Sequence, residues 1–220
     1  MNNPIPPIDP QALQAILSRH LAMYRSKVPH YQALMLNGLR AMWHEPHESL
    51  LDIGGGTGVI AQAIAELFPV KRVYAIDVVD RYCPTLTVET GTYDGEKLPF
   101  GDVAFAAATL NNVLHHVPKA ARGGLIREIR RVVAGPVYIK DHVSHGWLDD
   151  RRLGALDAIG NIPFGGMVVA EYLKQSEWDA LAEQGGYAIG AMVPAISYRS
   201  APYTLLFPNR LEISMRLDPR

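Results

Sequence analysis

The chain of 220 residues has little of what marks several large classes of protein. It contains one cysteine, Cys83, so no internal disulfide can form, and a reducing cytoplasm is the expected location. Its formal net charge is only -1, with 21 Lys and Arg against 22 Asp and Glu. A protein without a basic excess has no general attraction for nucleic acid or for an anionic membrane. The composition therefore predicts neither a nucleic-acid partner nor a membrane partner.

Long apolar runs are also missing. No stretch approaches the roughly 18 consecutive apolar residues that a membrane-spanning helix needs. Residues 1–7 have neither the basic start nor the apolar centre of a signal peptide. With 48% hydrophobic and 20% charged residues, the composition is typical of a globular protein with a sizeable core. At this length we expect one domain.

The most informative stretch of the sequence is LLDIGGGTG, from Leu50 to Gly58. An apolar run ends in Asp52, a glycine-rich turn follows at once, and residues 59–67 have the pattern of a helix. Strand, glycine turn and helix form half of a nucleotide-binding crossover, in which backbone N–H groups approach the ligand closely. This stretch predicts a ligand-binding turn.

The spacing of the glycines separates two kinds of ligand. A dinucleotide fingerprint has glycines at its first, third and sixth positions. Only the frame that begins at Gly56 satisfies it, with Gly58 third and Ala61, a residue that the fingerprint sometimes accepts, sixth. That frame leaves Asp52 and Gly54 unexplained, whereas an acid followed by alternate glycines uses all of them. A carboxylate at this point favours a ligand with a cationic end, such as an α-ammonium group, over a pyrophosphate.

A second acid follows the next predicted strand. Residues 72–77 form an apolar run that ends in Asp77, 25 positions beyond Asp52. In nucleotide-binding folds an acid about 20 residues past the glycine turn accepts hydrogen bonds from the ribose hydroxyls. Asp80 is an alternative for this role, but Asp77 directly ends the apolar run.

The rest of the chain alternates predicted helices and strands. Two helices, from Asp9 onwards and over about residues 29–43, either cap the glycine turn or pack on the sheet. Further elements are predicted at 85–89, 102–109 and 136–140 (strands), 119–133, 147–161 and 176–184 (helices, the last with a capping box at Ser176), and 187–193, 203–207 and 211–217 (strands). This alternation predicts an α/β protein with a largely parallel sheet that is covered by helices on both faces.

Four blocks in a fixed order carry a resemblance to a known family. They are LDIGGGTG at residues 51–58, Ile76-Asp77, DGEKLPF at 94–100 and NNVLHH at 111–116. The pattern, which covers roughly residues 48–142, resembles the class I S-adenosylmethionine-dependent methyltransferases. The third and fourth blocks look most like the small-molecule branch that includes the ubiquinone and menaquinone methyltransferases. The resemblance implies methyl transfer from S-adenosyl-L-methionine to a small organic acceptor at oxygen, nitrogen or carbon, with S-adenosyl-L-homocysteine as product.

The resemblance also implies a fold and a cofactor site. The fold is a Rossmann-like three-layer sandwich with a mostly parallel seven-stranded sheet in the order 3-2-1-4-5-7-6. We expect an N-terminal helical cap over residues 1–47 and a class I methyltransferase domain over residues 48–220. A short link between the second and third strands, with Cys83-Pro84, departs from the family pattern. By resemblance, the cofactor-binding residues are Asp52, Gly54, Gly56 and Gly58 around the methionine part, Asp77 at the ribose, Val78 against the adenine, Asp94 and Gly95 at the adenine edge, and Asn111 beside the fourth strand.

Candidates for catalysis must lie where the crevice of a parallel sheet opens, at the carboxyl ends of the fourth and fifth strands. Methyl transfer from a sulfonium needs an aligned nucleophile and sometimes a base that removes its proton. His115, His116, Asp141 and His142 meet this condition, although one of His115 and His116 could instead cap or pack under the cofactor. The same residues could ligate a divalent ion, but they offer no pair at a rigid helical spacing, so we predict no metal.

The acceptor pocket and the alternatives to methyl transfer follow from position alone. Residues that could shape the pocket are Tyr24, Tyr31, Trp147, Asn161, Phe164, Gly165 and Gly166. An alternative function is a protein of the same fold that binds the cofactor for a structural or regulatory role or for other chemistry. A partner subunit of another methyltransferase is a further alternative, against which the intact glycine turn and Asp77 argue.

Overall fold

The computed structural model describes residues 6–161, 170–193 and 196–220. The helices of this part are α1 (Pro10–Leu17), α2 (His30–Ala41), α3 (Val59–Leu67), α4 (Lys119–Val132), α5 (Trp147–Asn161), α6 (Gln175–Gln184) and α7 (Tyr203–Leu206). The strands are β1 (His47–Ile53), β2 (Val70–Asp77), β3 (Glu89–Thr92), β4 (Ala107–Asn111), β5 (Val137–His142), β6 (Tyr187–Val193) and β7 (Glu212–Pro219). None of the helices described is long and apolar enough to span a membrane.

The strands form one sheet in the order β3-β2-β1-β4-β5-β7-β6. The first five strands are parallel, and β7 is antiparallel to both β5 and β6. This sheet confirms the predicted Rossmann-like fold and its strand order. The register places Asp52 of β1 between Ala75 of β2 and Thr109 of β4, so the carboxyl ends of these strands meet at one edge.

Helices cover both faces of the sheet and form two hydrophobic cores. Leu50 of β1 packs in the core that contains α1, α2 and α3, while its neighbour Leu51 packs in the core that contains α4 and α6. Successive side chains of a strand point to opposite faces, which explains why these adjacent leucines belong to different cores. The result is the predicted three-layer arrangement.

The start of α1 confirms one local prediction, and the start of α6 corrects another. Asp9 accepts hydrogen bonds from the backbone N–H groups of Gln11 and Ala12, and Pro10 occupies the first helical position. The predicted capping box at Ser176 is wrong. Helix α6 starts earlier, with Lys174 as N-cap, because the Glu177 carboxylate accepts the Lys174 backbone N–H over 2.9 Å.

The third strand lies later than predicted. Residues 85–89 alternate like a strand, but β3 begins only at Glu89 and pairs with β2 through Thr92. The Gln62 side chain of α3 explains the difference, because its Oε1 accepts the backbone N–H groups of Thr87 and Val88 at 2.8 and 3.3 Å. A helix side chain thus binds these backbone donors, which are then unavailable to a strand ladder.

Two further strand predictions need correction. The fourth strand begins at Ala107 rather than at residue 102, since Val103 has a φ of +53° and its N–H donates to the Arg131 carbonyl. The predicted strand over residues 203–207 is the short helix α7, in which the Leu205 N–H donates to the Pro202 carbonyl over 3.0 Å. Pro202 precedes the helix, and its ring restricts the backbone to an angle that suits a first helical turn.

Candidate active site

A cavity of about 410 Å³ opens at the carboxyl ends of β1, β2 and β4. Its walls come from the glycine turn, the end of β2, the segment after β4 and the N-terminal helical region. The lining residues include Leu21, Tyr24, Tyr31, Gln32, Met35, Asp52, Gly54, Gly55, Gly56, Asp77, Val78, Arg81, Tyr93, Gly95, Asn111, Asn112 and His116. The sheet topology therefore brings together residues that lie far apart in the sequence.

The glycine turn has the backbone that its sequence predicts. Gly54, Gly56 and Gly58 have φ values of +72°, +58° and +78°, a region that other residues rarely adopt. Gly54 and Gly56 line the cavity, and a Cβ on Gly56 would meet no atom within 4 Å. Gly58 contributes differently, since it precedes α3 and a Cβ there would lie 2.4 Å from Leu86 Cδ1. The open space at Gly56 leaves room for a ligand to approach the backbone.

Asp52 lies buried at the floor of the cavity. Its Oδ1 accepts hydrogen bonds from Thr109 Oγ1 at 2.7 Å and from Asn111 Nδ2 at 3.3 Å. Within the described residues, Asp52 Oδ2 and Asn111 Oδ1 are buried and have no hydrogen-bond donor. Burial raises the pKa of Asp52 to about 6, although these two hydrogen bonds oppose the shift. Two acceptor oxygens without donors fit the α-ammonium group of a bound amino acid.

Asp77 joins the glycine turn to the end of β2. Its Oδ2 accepts the Gly56 backbone N–H over 2.7 Å, and its Oδ1 accepts the Val79 N–H over 3.2 Å. Asp77 is buried and lines the cavity, whereas Asp80 is exposed and is not part of the lining. Each Asp77 oxygen keeps a lone pair, so the carboxylate can accept hydrogen bonds from the two hydroxyls of a vicinal diol.

The residues predicted at the adenine edge divide into two groups. Val78 and Gly95 line the cavity beside Asp77. Asp94 is exposed and lies outside the lining, and its Oδ1 accepts the backbone N–H groups of Glu96 and Lys97, both at 2.8 Å. The carboxylate of Asp94 therefore holds the turn that presents Gly95.

Of the four predicted catalytic residues, His116 lines the cavity. His115, Asp141 and His142 are buried beneath it, where His115 Nδ1 contacts Asp141 Oδ1 and Asp141 Oδ2 accepts the Leu114 N–H. The His115 and His116 rings lie with centroids 4.1 Å apart. The fold thus gathers all four residues, but with one of them at the cavity surface.

Asp157 of α5, which the sequence does not single out, completes this buried cluster. Its two oxygens lie 3.3 Å from His115 Nε2 and 3.5 Å from His142 Nε2. Burial lowers the pKa of His115, but the carboxylates of Asp141 and Asp157 outweigh burial and raise it to about 9. In turn, His115 overcomes burial and lowers the pKa of Asp141 to about 2. His115 is therefore an imidazolium between two carboxylates.

This cluster also has the composition of a metal site. Possible ligand atoms of His115, His116 and Asp157 lie within 4.8 Å of one another. A histidine binds a metal only as a neutral imidazole, whereas the two flanking carboxylates favour protonated His115. Ion pairing accounts for the positions of His115 and Asp157 without a metal.

A second buried charge cluster surrounds Lys140 of β5. The Nζ of Lys140 lies 2.5 Å from Tyr31 Oη, 2.6 Å from Asn112 Oδ1 and 2.7 Å from Glu212 Oε2. Glu212 is also paired with Arg199 over 2.6 Å. Burial lowers the pKa of Lys140, but Glu212 more than reverses this and raises it above the usual range. The sequence signal for this cluster was a lysine at the end of an otherwise apolar strand.

The remaining pocket candidates divide in the same way. Tyr24 and Tyr31 line the cavity, while the side chain of Trp147 is 71% exposed and does not. The side chain of Asn161 lies outside the described part of the chain, as do Phe164, Gly165 and Gly166.

Comparisons with known proteins agree with this architecture. Residues 51–136 match a family model described as a methyltransferase domain. The fold resembles one chain of a solved complex between the Haloferax volcanii Trm112 methyltransferase activator and a methyltransferase. The TM-score is 0.65, with 14% identity over 94% of this chain and 98% of the other. No curated protein sequence matches the chain.

Two further solved structures share the fold. An S-adenosylmethionine-dependent methyltransferase from Mesorhizobium loti aligns with a TM-score of 0.61 and 14% identity over 84% of this chain and 97% of that one. Magnesium protoporphyrin IX methyltransferase from Synechocystis, solved with S-adenosylhomocysteine, aligns with a TM-score of 0.58 and 16% identity over 87% of this chain and 84% of the other.

The matched domain spans the glycine turn, Asp77 and the segment after β4, which together build the cavity. Residues 51–136 thus match a methyltransferase domain and lie within a Rossmann-like fold. Domain and fold together support an S-adenosylmethionine-dependent methyltransferase, with S-adenosylmethionine as cofactor.

Proposed function

We propose that this protein transfers a methyl group from S-adenosylmethionine to a small organic acceptor. The observation that carries the proposal is a pair of oxygens, Asp52 Oδ2 and Asn111 Oδ1, that have no donor among the described residues and lie in a cavity whose wall is a glycine turn. Buried acceptors without donors are costly unless a ligand supplies the donors. The α-ammonium group of the cofactor supplies them.

The cofactor site follows from the same geometry. Asp52, Asn111 and the turn with Gly54, Gly56 and Gly58 hold the methionine part. Asp77 accepts the ribose hydroxyls, Val78 and Gly95 lie against the adenine, and Asp94 fixes the adenine-side turn. These roles rest on the hydrogen bonds of Asp52, Asp77 and Asp94 and on the lining of the cavity.

The bound cofactor supplies an electrophilic methyl group, and the residues of the chain align the acceptor and remove its proton where one is lost. We assign the base to His116, because it lines the cavity after β4. His115 and Asp141 position it, since the charged His115 ring packs on His116 and is fixed by Asp141, and the His142 ring packs on His115. No metal takes part in this proposal.

The N-terminal segment, residues 1–47, acts as a cap in this proposal. Leu21, Tyr24, Tyr31 and Met35 line the cavity together with the glycine turn, so the segment can exclude water from a bound acceptor. The domain proper then covers residues 48–220. The proposal has three further parts. The sequence motifs favour membership of the ubiquinone- and menaquinone-methyltransferase-like branch. The composition favours a cytoplasmic location and the lack of nucleic-acid or membrane partners.

Product analysis with S-adenosylmethionine that is labelled in its methyl group tests the proposal. The purified protein is incubated with a fractionated extract of small metabolites, and the fate of the label is followed by mass spectrometry. We expect labelled small molecules and S-adenosylhomocysteine to appear together. Binding of the cofactor with no label leaving it would instead support the alternative, a protein of this fold with a structural, regulatory or non-methyltransferase role.

A further inference from the structure

Two consecutive asparagines at the end of β4 line the cavity, one presenting a hydrogen-bond acceptor and the other a donor. Asn111 donates its amide to Asp52 Oδ1, so its carbonyl oxygen is left for a ligand. The side-chain carbonyl oxygen of Asn112 accepts a hydrogen bond from the Lys140 ammonium over 2.6 Å, so the NH₂ group of Asn112 can donate to a ligand. Because an ammonium has donors only, Lys140 determines which way the Asn112 amide points. Asn112 has a φ of +58°, which asparagine tolerates better than most residues.

Tyr31 is oriented by the same ammonium group. Its hydroxyl oxygen accepts a hydrogen bond from Lys140 Nζ over 2.5 Å, so its own proton can go to another acceptor. Burial raises the pKa of Tyr31, although the Lys140 charge opposes this, and the phenol therefore stays protonated. Within residues 6–161, 170–193 and 196–220, the structure shows no acceptor for the Tyr31 proton or for the Asn112 amide.

Lys140 cannot turn away from these two residues. Its third neighbour is Glu212, which is itself held by Arg199 at 2.6 Å and by His142 Nδ1 at 3.1 Å. The ammonium group thus donates hydrogen bonds to Tyr31 and Asn112 and is ion-paired with Glu212. The side chain of Lys140 is fully buried and does not line the cavity. Lys140 therefore acts through Tyr31 and Asn112 rather than by contacting a ligand.

We propose that Tyr31 and Asn112 form a carboxylate subsite, in which both donate to a carboxylate oxygen and Lys140 acts as the positioning residue. The inference rests on the proposed function and deepens it. With Asp52 and Asn111 presenting acceptors and Tyr31 and Asn112 presenting donors, the cavity is arranged for a ligand that carries both charges or for two ligands side by side. The carboxylate belongs either to the methionine part of the cofactor or to the methyl acceptor.

Binding measurements on Tyr31→Phe and Asn112→Asp test the subsite. Phenylalanine removes the hydroxyl donor, while aspartate keeps the oxygen that faces Lys140 and replaces the amide donor by a second oxygen. Calorimetry gives the affinities for S-adenosylhomocysteine and for its analogue without the carboxylate, and for benzoate added to the S-adenosylhomocysteine complex. Tyr203→Phe, at a side chain that is 63% exposed and outside the cavity lining, is the matched control.

The two sources of the carboxylate give different results. If it belongs to the cofactor, both variants reduce the affinity for S-adenosylhomocysteine about ten- to hundredfold, which is the contribution of a hydrogen bond to a charged group. The affinity for the decarboxylated analogue then changes by less than about twofold. If it belongs to the acceptor, affinity for S-adenosylhomocysteine is unchanged, and benzoate binds the wild-type complex but not the variant complexes.

The proposal is overturned if both variants bind all three probes as the wild type does, or if they reduce the affinities for S-adenosylhomocysteine and for its analogue equally. Failure of the wild type to bind S-adenosylhomocysteine would instead refute the proposed function. Lys140→Met is expected to reduce the same preference for the carboxylate-bearing ligand. Because Lys140 is buried and this variant could fail to fold, Tyr31→Phe and Asn112→Asp are the decisive variants, each checked by circular dichroism.

Discussion

Asn111 donates its side-chain amide to Asp52 across the ends of two neighbouring parallel strands, over 3.3 Å. The bond orients both side chains, and each is left with one buried oxygen that has no donor in the described part of the chain. An unsatisfied pair of this kind lowers the stability of the free protein and favours a ligand with a compact cation. The arrangement explains why an acid, rather than an apolar residue, stands next to the end of the first strand.

Asp52→Asn is expected to weaken binding of S-adenosylhomocysteine about ten- to hundredfold, because the ammonium group loses its charged partner. The same variant is expected to raise the free energy of unfolding at pH 8 by about 1–2 kcal/mol. The cause is the buried carboxylate, whose pKa of about 6 shows that its charged form is destabilised in the folded state.

Calorimetry and urea denaturation measure these two effects of Asp52→Asn. Asp179→Asn on the exposed side of α6 removes a charge outside the cavity and serves as the control. A variant that binds as tightly as the wild type would contradict the role of Asp52 in binding the ammonium group.

Affinity for S-adenosylhomocysteine is expected to fall as the pH is lowered from 7.5 to 5. In the free protein Asp52 has a pKa of about 6, so below this pH it carries a proton and no longer pairs with an ammonium. A loss of about tenfold per pH unit is the limiting slope for one proton. Calorimetry over this range checks the profile, and the residual binding of Asp52→Asn should be flat. A sloping profile in Asp52→Asn would assign the effect to another group.

The stability of the fold is expected to fall between pH 7 and pH 9.5. His115 has a folded pKa of about 9, above its usual value of 6.5, so the stability that it contributes is complete below pH 6.5 and is lost as pH rises through 9. The shift corresponds to about 3 kcal/mol in the fully deprotonated limit. Urea denaturation at several pH values measures the loss, and NMR titration of the His115 ring locates its pKa. A His115 ring that titrates near 6.5 would refute the buried ion pair.

Removal of metal ions is expected to leave the protein unchanged. Protonated His115 between Asp141 and Asp157 forms ion pairs that need no ion. Dialysis against a chelator should therefore alter neither the affinity for S-adenosylhomocysteine nor the free energy of unfolding. A loss that added Zn²⁺ or Mg²⁺ restores would show that His115, His116 and Asp157 bind a metal.

The parts of the site that were predictable from sequence lie in short stretches with strong local signals. Asp52, the glycine turn and Asp77 each stand at the end of an apolar run or in a spaced motif, and the fold places all of them at the cavity. Their positions follow from the strand–turn–helix unit, in which nearby residues determine where the side chains lie.

The parts that were not predictable depend on contacts between distant residues. Tyr31 and Lys140 are separated by 109 positions, and Asp157 lies on a helix whose placement no periodicity specifies. The late start of β3 has the same origin, because Gln62 binds the backbone of Thr87 from another element. At residues 203–207 the error was local, because a short apolar stretch was interpreted as a strand despite the preceding Pro202.

The most direct test of the central claim is a calorimetric titration of the wild-type protein with S-adenosylhomocysteine and, separately, with NAD. Binding of S-adenosylhomocysteine with a 1:1 stoichiometry and no binding of NAD are expected from two features. These are the glycine frame that includes Asp52 and the oxygens at the cavity floor that lack a donor in the part of the chain that the structure describes. Tight binding of NAD together with no detectable binding of S-adenosylhomocysteine would contradict the account.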